Sequence, residues 1–146
     1  MSLTIELPFP PSTNTFLRHF VLPGRRQATT CISEKGREFF QAVGRVLLAD
    51  RLLIPKLHGP LSVVIELHPP DRRSIDPDNR IKATLDSLKR RPKDKKQFPG
   101  AWVFADDDSQ VHDVRAFLSH IIPGGKAVVT LAEAAPELFA EAEVEV

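Results

Sequence analysis

Residues 61–88 read LSVVIELHPPDRRSIDPDNRIKATLDSL and decide most of the fold. Apolar and polar side chains alternate over 61–68, which is typical of a strand with one buried face, and Pro69-Pro70 ends it. Asp76 then precedes Pro77, and this pair predicts a helix N-cap followed by proline at the first helical position, where proline is best tolerated. The stretch therefore predicts a strand, a turn and a helix whose entrance carries carboxylates.

The sequence on either side extends this pattern to one small domain. Residues 8–32, with their prolines, Asn14 and Arg25-Arg26, are predicted to form a long polar loop. The element order β-α-β-α-β-β-β predicts an α+β fold, a mixed sheet with two main helices packed on it. The remaining predicted elements are a strand over Ser2–Leu7, a helix capped by Ser33 and ending near Leu53, a helix that buries Ile81, Leu85 and Leu88, and short strands near 102–105, 110–120 and 126–133.

Composition is that of a soluble globular chain: 42% of the 146 residues are hydrophobic and 27% are charged. No apolar run approaches the roughly 20 residues that span a membrane, and the N-terminus lacks the regions of a signal peptide. The single cysteine, Cys31, cannot form an internal disulfide, so we expect a cytoplasmic protein.

The net charge of +1 conceals an asymmetry between two regions. Five of the 19 acids lie in residues 133–146, which carry no base, so the rest of the chain holds 20 bases against 14 acids. We therefore divide the chain into a cationic domain, 1–133, and an acidic C-terminal tail, 134–146. A cationic body permits a polyanionic partner without requiring one.

Two acidic segments are candidates for chemistry. Asp76 and Asp78 sit at a helix entrance, where the helix dipole stabilises carboxylates, and Lys82 follows Asp78 by one turn. The second segment, Asp106-Asp107-Asp108, enters a predicted strand. If the segments meet, converging carboxylates need cations to neutralise them, and oxygen ligands select Mg²⁺ or Mn²⁺. Such a site activates water and stabilises a phosphoryl transition state.

Each of these residues also has an ordinary structural interpretation. Asp76 alone is typical of a helix cap, Asp86 of an i,i+4 ion pair with Lys82 or Arg90, and the aspartate triplet of a solvated turn. Asp-x-Asp pairs also occur in nucleotide-sugar transferases and phosphotransferases. A calcium loop fails because Arg80 and Ile81 occupy positions that need a ligand and glycine, and neither cysteine nor histidine spacing fits zinc.

Basic residues flank the acids on both sides. Arg72-Arg73 precede Asp76, and residues 89–100, with six bases and one acid between proline and glycine breakers, are predicted to form a mobile basic loop. An acidic centre within positive charge suits a phosphodiester nuclease, since the bases hold backbone phosphates and the acids hold metal. Phe98 or Trp102 could stack on unpaired bases, although core packing is the expected role of Trp102.

Four segments in order resemble the RusA family of Holliday junction resolvases. The resemblance covers residues 3 to about 132. Its segments are Leu7-Pro8-Phe9-Pro10-Pro11-Ser12-x-Asn14, His68-Pro69-Pro70-Asp71-Arg72-Arg73, Asp76-x-Asp78-Asn79-x-x-Lys82 and Asp107-Asp108-x-Gln110-Val111.

The resemblance implies a homodimeric, Mg²⁺-dependent endonuclease that cuts four-way junction DNA in recombination and repair, with Mn²⁺ able to substitute. It implies that Asp76, Asp78 and Asp108 bind metal and that Lys82 supports catalysis. A twofold dimer suits paired symmetric nicks. The DNA-binding candidates are Arg72, Arg73, Asn14, Lys89, Arg90 and Arg91, although a turn residue bonded to its own backbone is the commoner role for an asparagine such as Asn14.

Three features depart from the family pattern. Ile75 precedes the first acid where a base is frequent, the 89–105 connection is longer than usual, and the acidic tail is an addition, which we expect to shield the basic groove weakly. Two other functions stay open: a different metal nuclease acting on flaps or duplex, and a DNA-structure binder with a vestigial site. The intact acids and lysine speak against the binder.

Overall fold

The computed structural model describes residues 2–50 and 54–134, and for Asp108 it describes the backbone alone. Six strands, three α-helices and two 3-10 helices make up the described part of the chain. In order these are β1 (Ser2–Leu7), α1 (Thr13–Phe16), β2 (Leu17–Val21), β3 (Ala28–Ile32), α2 (Glu34–Ala49), β4 (Leu61–His68), η1 (Pro77–Arg80), α3 (Ile81–Leu88), η2 (Asp108–Gln110), β5 (Val111–Leu118) and β6 (Lys126–Glu133).

A four-stranded mixed sheet in the order β1-β6-β4-β5 forms the centre of the fold. β6 pairs antiparallel with both β1 and β4, whereas β4 and β5 are parallel. A parallel pair needs a crossover connection, and η1 with α3 provides it between β4 and β5. The α+β class with a mixed sheet is therefore confirmed.

Alternation in β4 sets which face of the sheet is buried. Its apolar positions Leu61, Val63, Ile65 and Leu67 are each at most 1% exposed, while the intervening residues through 66 are half-buried. Because side chains alternate across a strand, this register presents one apolar face to the helices. The predicted strand over Ser2–Leu7 and the one over 126–133 are confirmed, and the predicted 110–120 strand is Val111–Leu118.

Helix α2 covers the buried face of the sheet. Its N-cap is Ser33, whose hydroxyl accepts a hydrogen bond from the Gly36 N–H, as the sequence predicts. The residues at helical spacing that it buries are Phe39, Phe40, Val43 and Leu47. The helix ends at Ala49, and the predicted extension to Leu53 falls on residues 51–53, outside the described part.

The prediction of a long loop over residues 8–32 is wrong for most of residues 13–32. Thr13–Phe16 form a short helix, and β2 and β3 pair antiparallel as a separate two-stranded sheet. The ribbon is largely exposed, with Val21 58% exposed, so no buried face generates the strict alternation by which strands are recognised. Cys31 lies in β3 as a half-buried free thiol.

Two further expectations are corrected. Residues 102–105 form no strand: Phe104 makes isolated bridges to Leu57 and Lys89, and Trp102 is half-buried beneath the Lys56 ammonium, 4.1 Å from its ring centroid, rather than in the core. In α3, Leu88 is fully buried as predicted, but Ile81 and Leu85 are only half-buried. The other buried positions of this helix are Ala83, Thr84, Asp86 and Ser87.

The predicted tail, 134–146, lies outside the described residues except for Ala134, so its division from the 1–133 domain and its shielding role stay predictions. No helix in the described ranges is long and apolar enough to cross a membrane.

Candidate active site

Asp76 and Asp78 lie at the entrance of η1, immediately before α3. Asp76 is the N-cap: its Oδ1 accepts a hydrogen bond from the Asp78 N–H at 3.1 Å, and Pro77 occupies the first position of the 3-10 helix. The predicted cap is thus confirmed, with the first turn 3-10 rather than α-helical. Both aspartates are exposed, and within the described residues Asp76 Oδ2 and the Asp78 carboxylate have no bonding partner. These oxygens are available to a ligand.

The proline-rich N-terminal segment is fastened to η1 by side chains. The Thr13 hydroxyl donates to the Asn79 carbonyl at 3.1 Å, and the Arg80 Nη1 donates to the Pro10 carbonyl at 2.9 Å. Arg80 also stacks 5.2 Å from the Phe9 ring centroid, and burial lowers the pKa of its guanidinium. These contacts place α1, which carries the exposed Asn14, beside the two aspartates.

Gln110 organises the second acidic segment. Its buried side-chain carbonyl accepts the backbone N–H groups of Asp106 and Asp107, at 3.0 and 3.2 Å. Its amide donates to the Leu57 and Gly59 carbonyls at 2.9 and 3.0 Å, which ties the turn to the chain entering β4. The sequence indicates Gln110 only as part of the Asp107-Asp108-x-Gln110-Val111 segment; its position directly after clustered acids is the signal that could have pointed to this role.

The three aspartates of this segment differ in their surroundings. Asp106 Oδ2 accepts the Gly59 N–H at 3.0 Å, and its Oδ1 lies 3.5 Å from His58 Nδ1. The Gly59 hydrogen bond, followed by His58, lowers the pKa of Asp106, so this carboxylate serves the turn itself. Asp107 is exposed, and the backbone of Asp108 begins η2, directly before β5.

The two acidic segments are linked through β5. Strand β5 follows the Asp108 turn and lies against η1, which carries Asp78. No group of three or more candidate metal-ligating side chains occurs among the residues whose side chains are described, a set that excludes Asp108. The convergence of Asp108 with Asp76 and Asp78 therefore stays a prediction, supported by the contact between their elements.

Lys82 belongs to a chain of ion pairs on α3. Its Nζ lies 3.1 Å from Asp86 Oδ2, and the Lys89 Nζ lies 3.4 Å from Asp86 Oδ1. The i,i+4 pair named as the ordinary interpretation of Asp86 is confirmed. The Lys82 side chain is 51% exposed and lies one turn along the chain from Asp78, whereas the Asp86 side chain is nearly buried. The ion pair with Asp86 therefore restricts the position of the Lys82 ammonium.

The basic candidates occupy different environments. Arg72 and Arg90 are exposed, whereas Arg73 bonds its neighbour Asp71 through Nε and Nη2, the latter at 2.8 Å. That pairing lowers the pKa of Asp71 and raises the pKa of Arg73. Arg73 therefore presents its charge with a counterion attached, and Arg72 carries the freer charge before the acidic site.

Arg91 turns inward rather than toward solvent. Its guanidinium stacks 3.9 Å from the Phe40 centroid, donates to the Asp86 carbonyl at 2.9 Å and pairs with Asp94 at 3.2 Å. Burial lowers its pKa. This placement favours a structural role at the C-terminal end of α3, where a cation complements the helix dipole. We leave Arg91 out of the proposed DNA surface for that reason.

The 89–100 segment is held by hydrogen bonds, which do not support the expectation of a mobile loop. The Gln97 side chain accepts the Arg91 N–H at 2.7 Å and donates to the Lys89 and Ala101 carbonyls at 3.0 and 3.2 Å. The sequence does not predict these hydrogen bonds, because a glutamine among lysines is typical of a solvated surface. Lys93, Lys95 and Lys96 remain exposed.

The fold and site define a small α+β protein with exposed carboxylates at a helix entrance and cations around them. A family model described as Endodeoxyribonuclease RusA matches residues 8–131. The chain is 35% identical over 129 residues to the crossover junction endodeoxyribonuclease rusA of Enterobacteria phage 82, covering 88% of this chain and 92% of the relative.

Two bacterial relatives give the same result. The chain is 33% identical over 130 residues to the crossover junction endodeoxyribonuclease RusA of Escherichia coli (strain K12), and 34% identical over 130 residues to that of Shigella sonnei (strain Ss046). Each alignment covers 89% of this chain and 93% of the relative. The chain belongs to the Endodeoxyribonuclease RusA family, which confirms the resemblance.

Proposed function

We propose that this protein is a structure-selective endodeoxyribonuclease that resolves four-way DNA junctions by paired symmetric nicks, acting in recombination and repair. Membership of the RusA family and the names of its relatives support the reaction class. The observation that carries the proposal is the exposed carboxylate pair at the entrance of η1, with Lys82 one turn along. Its proposed place of action is the cytoplasm, as a protein encoded by a bacterium or by a phage, because its relatives are phage and bacterial DNA-processing proteins.

The proposed cofactor is Mg²⁺, with Mn²⁺ able to substitute. The residues that would hold it are Asp76, Asp78 and Asp108. Asp76 and Asp78 fit a hard cation because they offer exposed carboxylate oxygens without protein partners among the described residues. When bound, such an ion lowers the pKa of a water and stabilises charge on a phosphate undergoing displacement.

The protein's own groups supply positioning and charge. The Lys82 ammonium pairs with Asp86 and its side chain stays half exposed, one turn along the chain from Asp78; in the proposed reaction it offsets negative charge developing on the scissile phosphate. Arg72, Arg73, Arg90 and Lys89 supply phosphate contacts at the two ends of η1 and α3, with Asn14 beside them on α1. Such contacts set affinity and register rather than sequence preference.

We propose a homodimer, because resolution requires two nicks on opposing strands. Among the described residues, strand β5 is an edge of the sheet and pairs with β4 on one side only. Its Val114 and Leu118 are 38% and 43% exposed, and a free edge with exposed apolar side chains is a common site of association between chains. The domain at 1–133 would form this dimer and the tail at 134–146 would flank it.

A cleavage assay on matched substrates tests the function. An immobile synthetic four-way junction is incubated beside a duplex, a fork and a flap of the same sequence, with Mg²⁺ and with EDTA. We expect paired symmetric nicks in the junction alone, abolished by EDTA. Equal cutting of all four substrates would indicate a different metal nuclease, and junction binding without cutting would indicate a DNA-structure binder.

A further inference from the structure

A cavity of about 390 Å³ lies between α2 and the 91–98 segment, outside the acidic site. Its volume is within the range of sites that bind small organic groups. The floor is apolar and aromatic, formed by Phe40, Phe98, Ile32 and Gly44. Two residues of η1 and the eight of α3 follow Asp78 before the 89–100 segment begins, a rise of about 16 Å, and no residue that lines the cavity belongs to the proposed metal site.

The rim of the cavity is strongly cationic. Arg37 on α2 and Lys93, Lys95 and Lys96 on the opposite wall are all exposed. The single acid of the lining, Asp94, is committed to the wall itself: Oδ2 pairs with Arg91, and Oδ1 accepts the Lys96 N–H at 3.0 Å. Four exposed cations exceed what one phosphate monoester needs, which favours a polyanionic chain as the occupant.

The residues that line the cavity are held in place by specific contacts. Arg91 lies between the ring of Phe40 and the carbonyls at the end of α3, and Gln97 holds both ends of the segment through three hydrogen bonds. Gly44 allows the Phe98 ring to approach α2, since a Cβ added there would lie 3.0 Å from Phe98 Cδ2. The half-buried Phe98 ring thereby forms a fixed aromatic wall.

We propose that this cavity binds one unstacked nucleotide of the DNA substrate, with its base against Phe98 and its neighbouring phosphates on Lys95, Lys96 and Arg37. The inference rests on the proposed function, because DNA must be the substrate. An aromatic wall accepts any base, since every base has a π face, while cations on the rim follow the backbone. The site would therefore select strands with unpaired nucleotides over continuous duplex.

Crosslinking on the full-length protein tests the proposal directly. A single-stranded oligonucleotide and a four-way junction, each with one 5-iododeoxyuridine, are bound in EDTA, irradiated and mapped by mass spectrometry. We expect the crosslink of each on the peptide that contains Phe98 or Phe40. A crosslink confined to the 76–82 region or to the β2–β3 ribbon would overturn the proposal.

Two variants separate stacking from charge. Phe98→Leu keeps apolar packing on α2 but removes the aromatic face, so single-strand affinity should fall about fivefold or more while duplex affinity is unchanged. The double variant Lys95→Ala, Lys96→Ala should lower the magnitude of the slope of log affinity against log salt concentration by about 1.4 for single strands. Arg45→Ala, an exposed cation on α2 outside the cavity, is the control.

The outcomes distinguish this proposal from the proposed function. If wild type cuts junctions while Phe98→Leu binds single strands as wild type does, the cavity proposal fails and the function stands. If wild type cuts no junction while Phe98→Leu loses single-strand affinity, the function fails and a single-strand site stands. If Phe98→Leu does not fold, the wild-type crosslink map and the lysine double variant decide.

Discussion

The side-chain carbonyl of Gln110 accepts the backbone N–H of Asp106 at 3.0 Å, so one buried side chain sets the shape of the aspartate turn. Removing it in Gln110→Leu leaves several polar groups without partners, and we expect a loss of about 2–4 kcal/mol in unfolding free energy. Junction cutting should fall as well, even at temperatures where the variant is folded. Chemical denaturation and the cleavage assay check both, with the exposed Gln27→Leu as control. Normal cutting by a folded variant would separate this turn from the reaction.

The proposed metal ligands give the sharpest test of the site. Asp76→Asn, Asp78→Asn and Asp108→Asn should each reduce junction cutting by at least about a hundredfold, since changes behind a metal ligand alone cost up to that factor. Asparagine is as good an N-cap as aspartate, so Asp76→Asn should fold normally. Junction affinity should survive or increase, because one repulsive charge near phosphate is lost. Asp50→Asn is the control, and full activity in any of the three removes that residue from the site.

The ion pair between Lys82 and Asp86 allows a role in catalysis to be distinguished from a role in folding. Lys82→Ala leaves Asp86 paired with Lys89, so stability should change by less than about 1 kcal/mol. Turnover should nevertheless fall about a hundredfold, with little change in junction affinity. Single-turnover cleavage and binding titrations measure the two. A defect in binding alone would reassign Lys82 to phosphate positioning.

Arg91 should matter for stability rather than for DNA affinity. Arg91→Ala removes a charged hydrogen bond to the Asp86 carbonyl and the stacking on Phe40, and we expect a loss of about 2–4 kcal/mol. The neighbouring exposed cation gives the matched comparison: Arg90→Ala should leave stability nearly unchanged and weaken DNA binding in a salt-dependent way. The opposite pattern would return Arg91 to the DNA surface.

The turn that contains Asp106 should lose stability in acid. The Gly59 hydrogen bond lowers the Asp106 pKa below its usual value of 3.8, so its contribution is present above that pH and is lost as pH falls through the folded-state pKa. The difference in unfolding temperature between wild type and Asp106→Ala should be constant from about pH 8 to 5 and shrink below about pH 4. A difference that is undiminished at pH 3 would show that the carboxylate charge is not what stabilises the turn.

The sequence by itself determined the features that depend on neighbours along the chain. Alternation predicted β4, the order Asp76-Pro77 predicted the start of η1, and four spaced motifs predicted the family. These succeed because periodicity, capping and proline chemistry act within a few residues. Asp76 was also named from this local pattern, and it lies at the predicted position.

Only the tertiary structure decided which polar side chains form hydrogen bonds within the fold instead of facing solvent. The side chains of Gln110 and Gln97 each hold a turn in place by hydrogen bonds to backbone groups. The guanidinium of Arg91 bonds to the backbone at the end of α3 in the same way. The β2–β3 ribbon escaped prediction because its strands bury no continuous face and are held by pairing with each other. Hydrogen bonds between distant segments leave no period in the sequence, whereas burial against a sheet does.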